Sequence, residues 1–128
     1  MANTFRFPSA PNQDNTYRTA TFETKNVDFA TSITIKPTQY HTIVKIGTMT
    51  DNTTINAYAG DTNVAPYIGD KLELYFANAS GSNKTVVLGT GFHWENNLTV
   101  VNGSVGMIHA TFNGSTWVCT SMVSPNND

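Results

Sequence analysis

The stretch from Gly69 to Ser121 constrains this chain most, because it strings together strand periods and turn signals with almost nothing between them. Leu72, Leu74 and Phe76 alternate with Lys71, Glu73 and Tyr75, the two-residue period of a strand with one buried face. Gly89 and Gly91 punctuate a turn ahead of Phe92 and Trp94. Asn113-Gly114 then separates two β-rich runs, a strong short-range hairpin signal. A chain with these signatures folds into strands and tight turns.

Composition points the same way. Charged residues make up 12% of the 128-residue chain, against about a quarter in an average globular domain. Asn and Thr fill the deficit, and they suit turns and strands respectively. Hydrophobic residues at 39% suffice for one core, so a single domain is expected. Strand candidates run over 19–25, 32–36, 41–50, 53–58, 71–77, 84–88, 98–101, 104–112 and 115–123, and no segment carries a helical period. This spacing predicts an all-β domain over 19–128, an antiparallel sandwich or jelly-roll-like barrel. Its core is expected to include Leu72, Leu74, Phe76, Ile108, Ala110 and Phe112, with one face of the last strand.

Residues 1–18 stand apart. Pro8, Pro11 and a polar run break any strand period, yet Phe5, Phe7 and Tyr17 are apolar for a free tail. They read as an extended N-terminal arm that docks on a neighbour, with those three rings as its buried contacts. In the strand 104–112, both faces carry apolar groups, and Met107 and His109 lie on the face opposite Ile108. A sheet with one solvated face alternates more cleanly, so Met107 and His109 mark a candidate oligomer face.

The run from Gly69 resembles the C-terminal domain of bacteriophage fibre and capsid-decoration proteins. The likeness rests on Gly69-Asp70, on Gly89 to Trp94, and on Phe112 to Trp117, and spans a little under half of the chain. It implies a structural virion component, a capsid decoration or head fibre that assembles as a homotrimer. It also implies other capsid proteins as partners, the outer surface of the particle as location, and synthesis in the host cytoplasm.

Net charge is -2 and the seven basic residues are scattered, so no basic stripe exists for a nucleic-acid backbone. No apolar run reaches the roughly 20 residues of a membrane-spanning helix, and the N-terminus has no secretory signal pattern. One cysteine, Cys119, excludes an internal disulfide. Asn-x-Ser/Thr triplets start at Asn52, Asn78, Asn83, Asn97, Asn102 and Asn113, as expected by chance in a chain so rich in these residues.

Chemistry-bearing motifs are sparse. Cys119 and His109 fall on neighbouring strands, but nothing orients them as a nucleophile and base, and a small buried cysteine is the simpler expectation. His93 and Glu95 share one side of an extended chain, yet two ligands do not close a metal site. Asp51, Asp61, Asp70, Glu73 and Glu95 offer carboxylates without a visible cleft to hold two of them at the separation glycoside hydrolysis needs. Gly89-Thr90-Gly91 lacks the remainder of a phosphate loop. The chain is therefore expected not to be an enzyme and to need no cofactor or metal. The competing reading is a carbohydrate- or receptor-binding module of the kind found at a fibre tip. In that reading Trp94, with His93 and Glu95, is the surface recognition group, and Tyr58, Tyr67, Tyr75 and Trp117 are further aromatic candidates.

Overall fold

A computed structural model of the chain describes residues 21–60, 66–93 and 96–125, the side chain of Asn96 aside. The expected arm, with Phe5, Phe7 and Tyr17, lies outside the described residues. Nine strands form, at the places the alternation marks: β1 (Phe22–Val27), β2 (Ser32–Ile35), β3 (His41–Ile46), β4 (Thr53–Ala57), β5 (Lys71–Ala77), β6 (Lys84–Leu88), β7 (Asn96–Val100), β8 (Val105–Phe112) and β9 (Trp117–Val123). They build a sandwich of a five-stranded sheet, β1-β3-β5-β8-β9, on a four-stranded sheet, β2-β4-β6-β7.

The sandwich is mixed rather than antiparallel throughout. β1, β3 and β5 pair in parallel in one sheet, and β2, β4 and β6 do so in the other. The cause is the path of the chain. After each strand it crosses to the facing sheet, runs back, and re-enters the first sheet in its original direction. Parallel strands ordinarily need a helical crossover; here a strand of the opposite sheet is the crossover, and β1–β6 wind as a flattened coil. From β6 the winding stops. β7 folds back antiparallel on β6, β8 lies antiparallel to β5, and β9 closes the larger sheet against β8.

Alternation decides which side chains enter the core. Val44, Leu74, Ile108 and Trp117 from one sheet meet Ile55, Val86, Leu88 and Val100 from the other, all fully buried. Phe76, Ala110 and Phe112 are also buried, on the face the sequence pattern marks. Gly106 sits where β8 faces β7, and a Cβ there would lie 2.9 Å from Val100 Cγ2. The two sheets approach through that missing side chain.

The outer faces differ in chemistry. The four-stranded sheet turns Thr34, Thr54, Asn56, Thr85, Asn97 and Thr99 outward, with Val87 as its apolar member and no charge. The five-stranded sheet turns out acids, bases and apolar groups together.

The Asn113-Gly114 signal does mark a hairpin, closed by the Asn113 N–H on the Thr116 carbonyl at 3.0 Å. Asn113 Oδ1 accepts the N–H groups of Ser115 and Thr116, each at 2.8 Å, so the side chain rather than a two-residue turn shapes the loop. The Gly89–Phe92 turn is closed by the Phe92 N–H on the Gly89 carbonyl at 3.2 Å, with Gly91 at φ 95°. A Cβ on Gly91 would come within 1.8 Å of the Ala57 carbonyl oxygen.

Two substitutions test this account. Phe112→Ala should destabilise the domain by about 3–5 kcal/mol, the cost of emptying a buried aromatic site. Gly91→Ala should cost more than about 1 kcal/mol, because strain at positive φ adds to the clash with Ala57. Thermal melts read both, and a shift of a degree or two in either would show that the site yields.

Candidate functional site

The outer face of the five-stranded sheet concentrates the chain's reactive and apolar groups. Strand register sets them in rows. Phe22, His41, Lys71 and Thr111 align across one end. Thr24, Ile43, Glu73 and His109 make the middle row, and Asn26, Lys45, Tyr75 and Met107 the next. Each group faces outward because its neighbours in sequence take the inward positions of the strand.

Glu73 is the centre of the polar end. Its Oε2 meets His41 Nε2, its Oε1 accepts the Tyr75 hydroxyl at 2.5 Å, and His109 Nε2 lies 3.5 Å from the same Oε1. Burial pushes the Glu73 carboxyl up. The Tyr75 and His41 hydrogen bonds and the charges of His41 and His109 outweigh it, and the net shift is downward. Tyr75 is raised in turn, first by its hydrogen bond to Glu73 and then by burial. Lys71 Nζ bonds Thr111 Oγ1 at 3.2 Å, and the Phe22 and Tyr40 rings flank His41 at 5.1 and 6.4 Å between centroids. A pocket of about 330 Å³ opens beside this group.

The other end of the face is apolar. A groove of about 550 Å³ runs over Ile43, Tyr75, Ala77, Val105 and Met107, with the Lys45 stem along it. Among the described residues, three of the five exposed large hydrophobic side chains, Phe22, Val105 and Val123, sit on this face.

The arrangement limits the chemistry. His41 and His109 take different oxygens of Glu73, and among the described residues no group of three His, Cys, Asp or Glu side chains can enclose one metal ion. Asp70 is buried and accepts the Tyr67 N–H at 2.9 Å, so it belongs to a turn rather than to a pair with Glu73. Cys119 packs against the core while His109 faces outward, and burial raises the thiol above its ordinary value. The Cys119–His109 pairing that the hairpin suggests is not formed: Cys119 lies opposite Ala110 and shares its inward side, whereas His109, the next residue of β8, points outward and has Ser121 opposite it.

The remaining sequence candidates divide as follows. Met107 and His109 do share the outer face with each other and with Glu73. Trp94 and Glu95 lie outside the described residues. His93 is exposed and donates its N–H to the Trp117 carbonyl at 2.9 Å, away from Glu73. The place of Tyr75 beside Glu73 follows from alternation along β5, whereas that of His41 follows from parallel pairing of β3 with β5, which alternation does not reveal. Glu23 is a second acid missed in this way. Its Oε2 accepts the Thr38 N–H and hydroxyl and the Thr42 hydroxyl at 2.7, 2.8 and 2.9 Å. Burial raises it, but those bonds and then the Lys25 charge bring it below its ordinary value.

No protein-family model matches this sequence, and no curated protein matches it significantly.

Both Glu23 and Glu73 titrate lower in the fold than in the unfolded chain. The stability they contribute is fully present above the ordinary glutamate value of 4.5 and is lost as pH falls through the lowered folded values. Melting temperature should therefore be flat above about pH 5.5 and fall below about pH 4.5. Glu23→Gln should make that acid fall shallower, and an unchanged slope would remove Glu23 from the account.

Proposed function

We propose that this protein is a structural component of a phage particle, a capsid-decoration or head-fibre subunit that works by self-association. Copies meet through the outer face of the five-stranded sheet as a homotrimer. Residues 1–18 then attach the assembly to other capsid proteins on the outside of the particle, with Phe5, Phe7 and Tyr17 as buried contacts. The observation that carries the self-association is the juxtaposition on one face of the groove over Ile43, Val105 and Met107 with the exposed Phe22 and Val123. An apolar groove at one end of the face, with Val123 beside it, Phe22 at the other end and polar groups between, suits burial against another chain. His41, Glu73, His109 and Lys71 supply the polar rim and would fix register between copies. The virion setting comes from the likeness of Gly69–Trp117 to phage fibre and decoration domains.

Light scattering is the direct test. The intact chain, 13.9 kDa per copy, should run as a trimer at micromolar concentration. Met107→Lys should shift it to monomer without lowering the melting temperature of the isolated subunit, because Met107 is outside the core. Removal of residues 1–18 should leave the oligomer intact and abolish attachment to particles. A wild-type chain that stays monomeric on concentration would end the self-association reading. Full-strength attachment after truncation would move the docking surface elsewhere.

A further inference from the structure

The opposite face of the sandwich carries a second kind of site. Where β2, β4 and the Gly89–Phe92 turn meet, a cleft of about 590 Å³ is lined by Thr34, Asn56, Tyr58, Ala59, Thr90 and Gly91 among others, none of them charged. We propose that this cleft binds a neutral saccharide, with Tyr58 as the stacking platform.

The cleft is built rather than incidental. The Tyr58 N–H bonds the Ile35 carbonyl at 3.0 Å, and its own carbonyl accepts the Trp117 indole N–H at 2.8 Å. Tyr58 is thus held on both sides of its Cα while its side chain stays 44% exposed. Lys36 Nζ lies 5.1 Å from the ring centroid and braces the ring by a cation–π contact. The opposite wall is equally fixed. The Ala57 N–H bonds the Thr90 carbonyl at 2.9 Å, and the Thr90 N–H bonds Asn56 Oδ1 at 2.7 Å. Gly91 presses its backbone against the Ala57 carbonyl, which only glycine allows. Little ordering is left for a ligand to impose.

The lining selects the ligand class. The lining itself carries no charge, and Lys36, the cation beside it, lies over the Tyr58 ring rather than within the lining, which favours a neutral ligand over phosphate or carboxylate groups. The backbone N–H groups of Ala57, Tyr58 and Thr90 are used in the bonds just described, which leaves the side chains as the main recognition groups of the wall. What remains is an aromatic face, the hydroxyls of Thr34 and Thr90, and Asn56 Nδ2, whose amide oxygen is already engaged. An aromatic platform with a few hydroxyl and amide groups is complementary to a sugar ring, which has apolar C–H faces and hydroxyl edges. The cleft volume falls within the usual small-ligand range of about 300–1,000 Å³. The surrounding sheet continues the same neutral surface through Thr54, Thr85 and Thr99.

The test is an amide chemical-shift titration of the full chain with maltotetraose, cellotetraose and chitotetraose, and with sialyllactose as an acidic probe. At least one neutral oligosaccharide should shift the amides of Tyr58, Ala59, Thr90 and Gly91 saturably. Tyr58→Ala should weaken that binding about tenfold, the scale of one aromatic stacking contact. Thr34→Val should weaken it without touching the ring. Met107→Lys, on the other sheet, should leave it unchanged whatever it does to oligomeric state, so the two proposals fail separately. Saturable shifts from none of the three neutral sugars would overturn the saccharide site. So would a response to sialyllactose alone, or affinity that survives both Tyr58→Ala and Thr34→Val.

Discussion

Trp117 ties one end of this sandwich together. It is fully buried, and its ring packs on Phe112 at 5.3 Å between centroids. Its indole N–H reaches the Tyr58 carbonyl, its backbone N–H bonds the Gly91 carbonyl at 2.8 Å, and its carbonyl accepts the His93 N–H. One residue at the start of β9 therefore holds the exit of β4, the turn after β6 and the end of β8. These bonds add to the β5–β8 ladder, which ends nearby in the Gly69 N–H on the Phe112 carbonyl and the Phe112 N–H on the Asp70 carbonyl, and they reach across to the four-stranded sheet, which that ladder does not. Asn78 does the corresponding work at the far end, with Nδ2 on the carbonyls of Ser82 and Val100 and its backbone bonded to Ser104 and Gly103. A buried amide is tolerated there because its donors and its acceptor all find partners.

How much of this was legible beforehand depended on the kind of information each feature carries. Alternation is local, so all nine strands and the buried face of β5 and β8 could be read from side-chain order. Leu72, Leu74 and Phe76 are core for the reason the pattern states. Direction of pairing is not local. Nothing in Ile43 or Glu73 says that β3 lies parallel to β5, and so His41 could not be joined to Glu73 in advance, although Tyr75, two residues along the same strand, could. The same applies to Glu23, whose partners Thr38 and Thr42 come from the loop and strand that the coil brings alongside. Tyr58 could be recognised as an aromatic candidate, but the cleft beside it depends on Gly91 meeting Ala57 across the sheet. Cys119 shows the reverse failure. Sequence placed it near His109, but its partner is Ala110, one residue along β8, and strand alternation puts Cys119 and His109 on opposite faces.

A coil of parallel strands also leaves an edge at β1, and the treatment of that edge bears on the proposed self-association. Edge strands with open backbone groups invite further pairing unless something blunts them. Here Glu23 and Lys25 take the inward positions of β1 beside Val27, with Glu23 bonded to Thr38 and Thr42 and Lys25 Nζ on the Lys36 carbonyl at 3.0 Å. Inward charges at an edge are a recurrent device against uncontrolled strand addition. They hold β1 to the loop before β3 and make simple edge-to-edge growth costly. The apolar face over Ile43, Val105 and Met107 has no comparable protection. Association through a face closes after a fixed number of copies when symmetry allows, whereas association through an edge can continue without limit. Guarding the β1 edge and leaving the face open is the combination the proposed discrete assembly would require, and the neutral sheet, with Tyr58 at its rim, lies on the opposite side of the sandwich from that face.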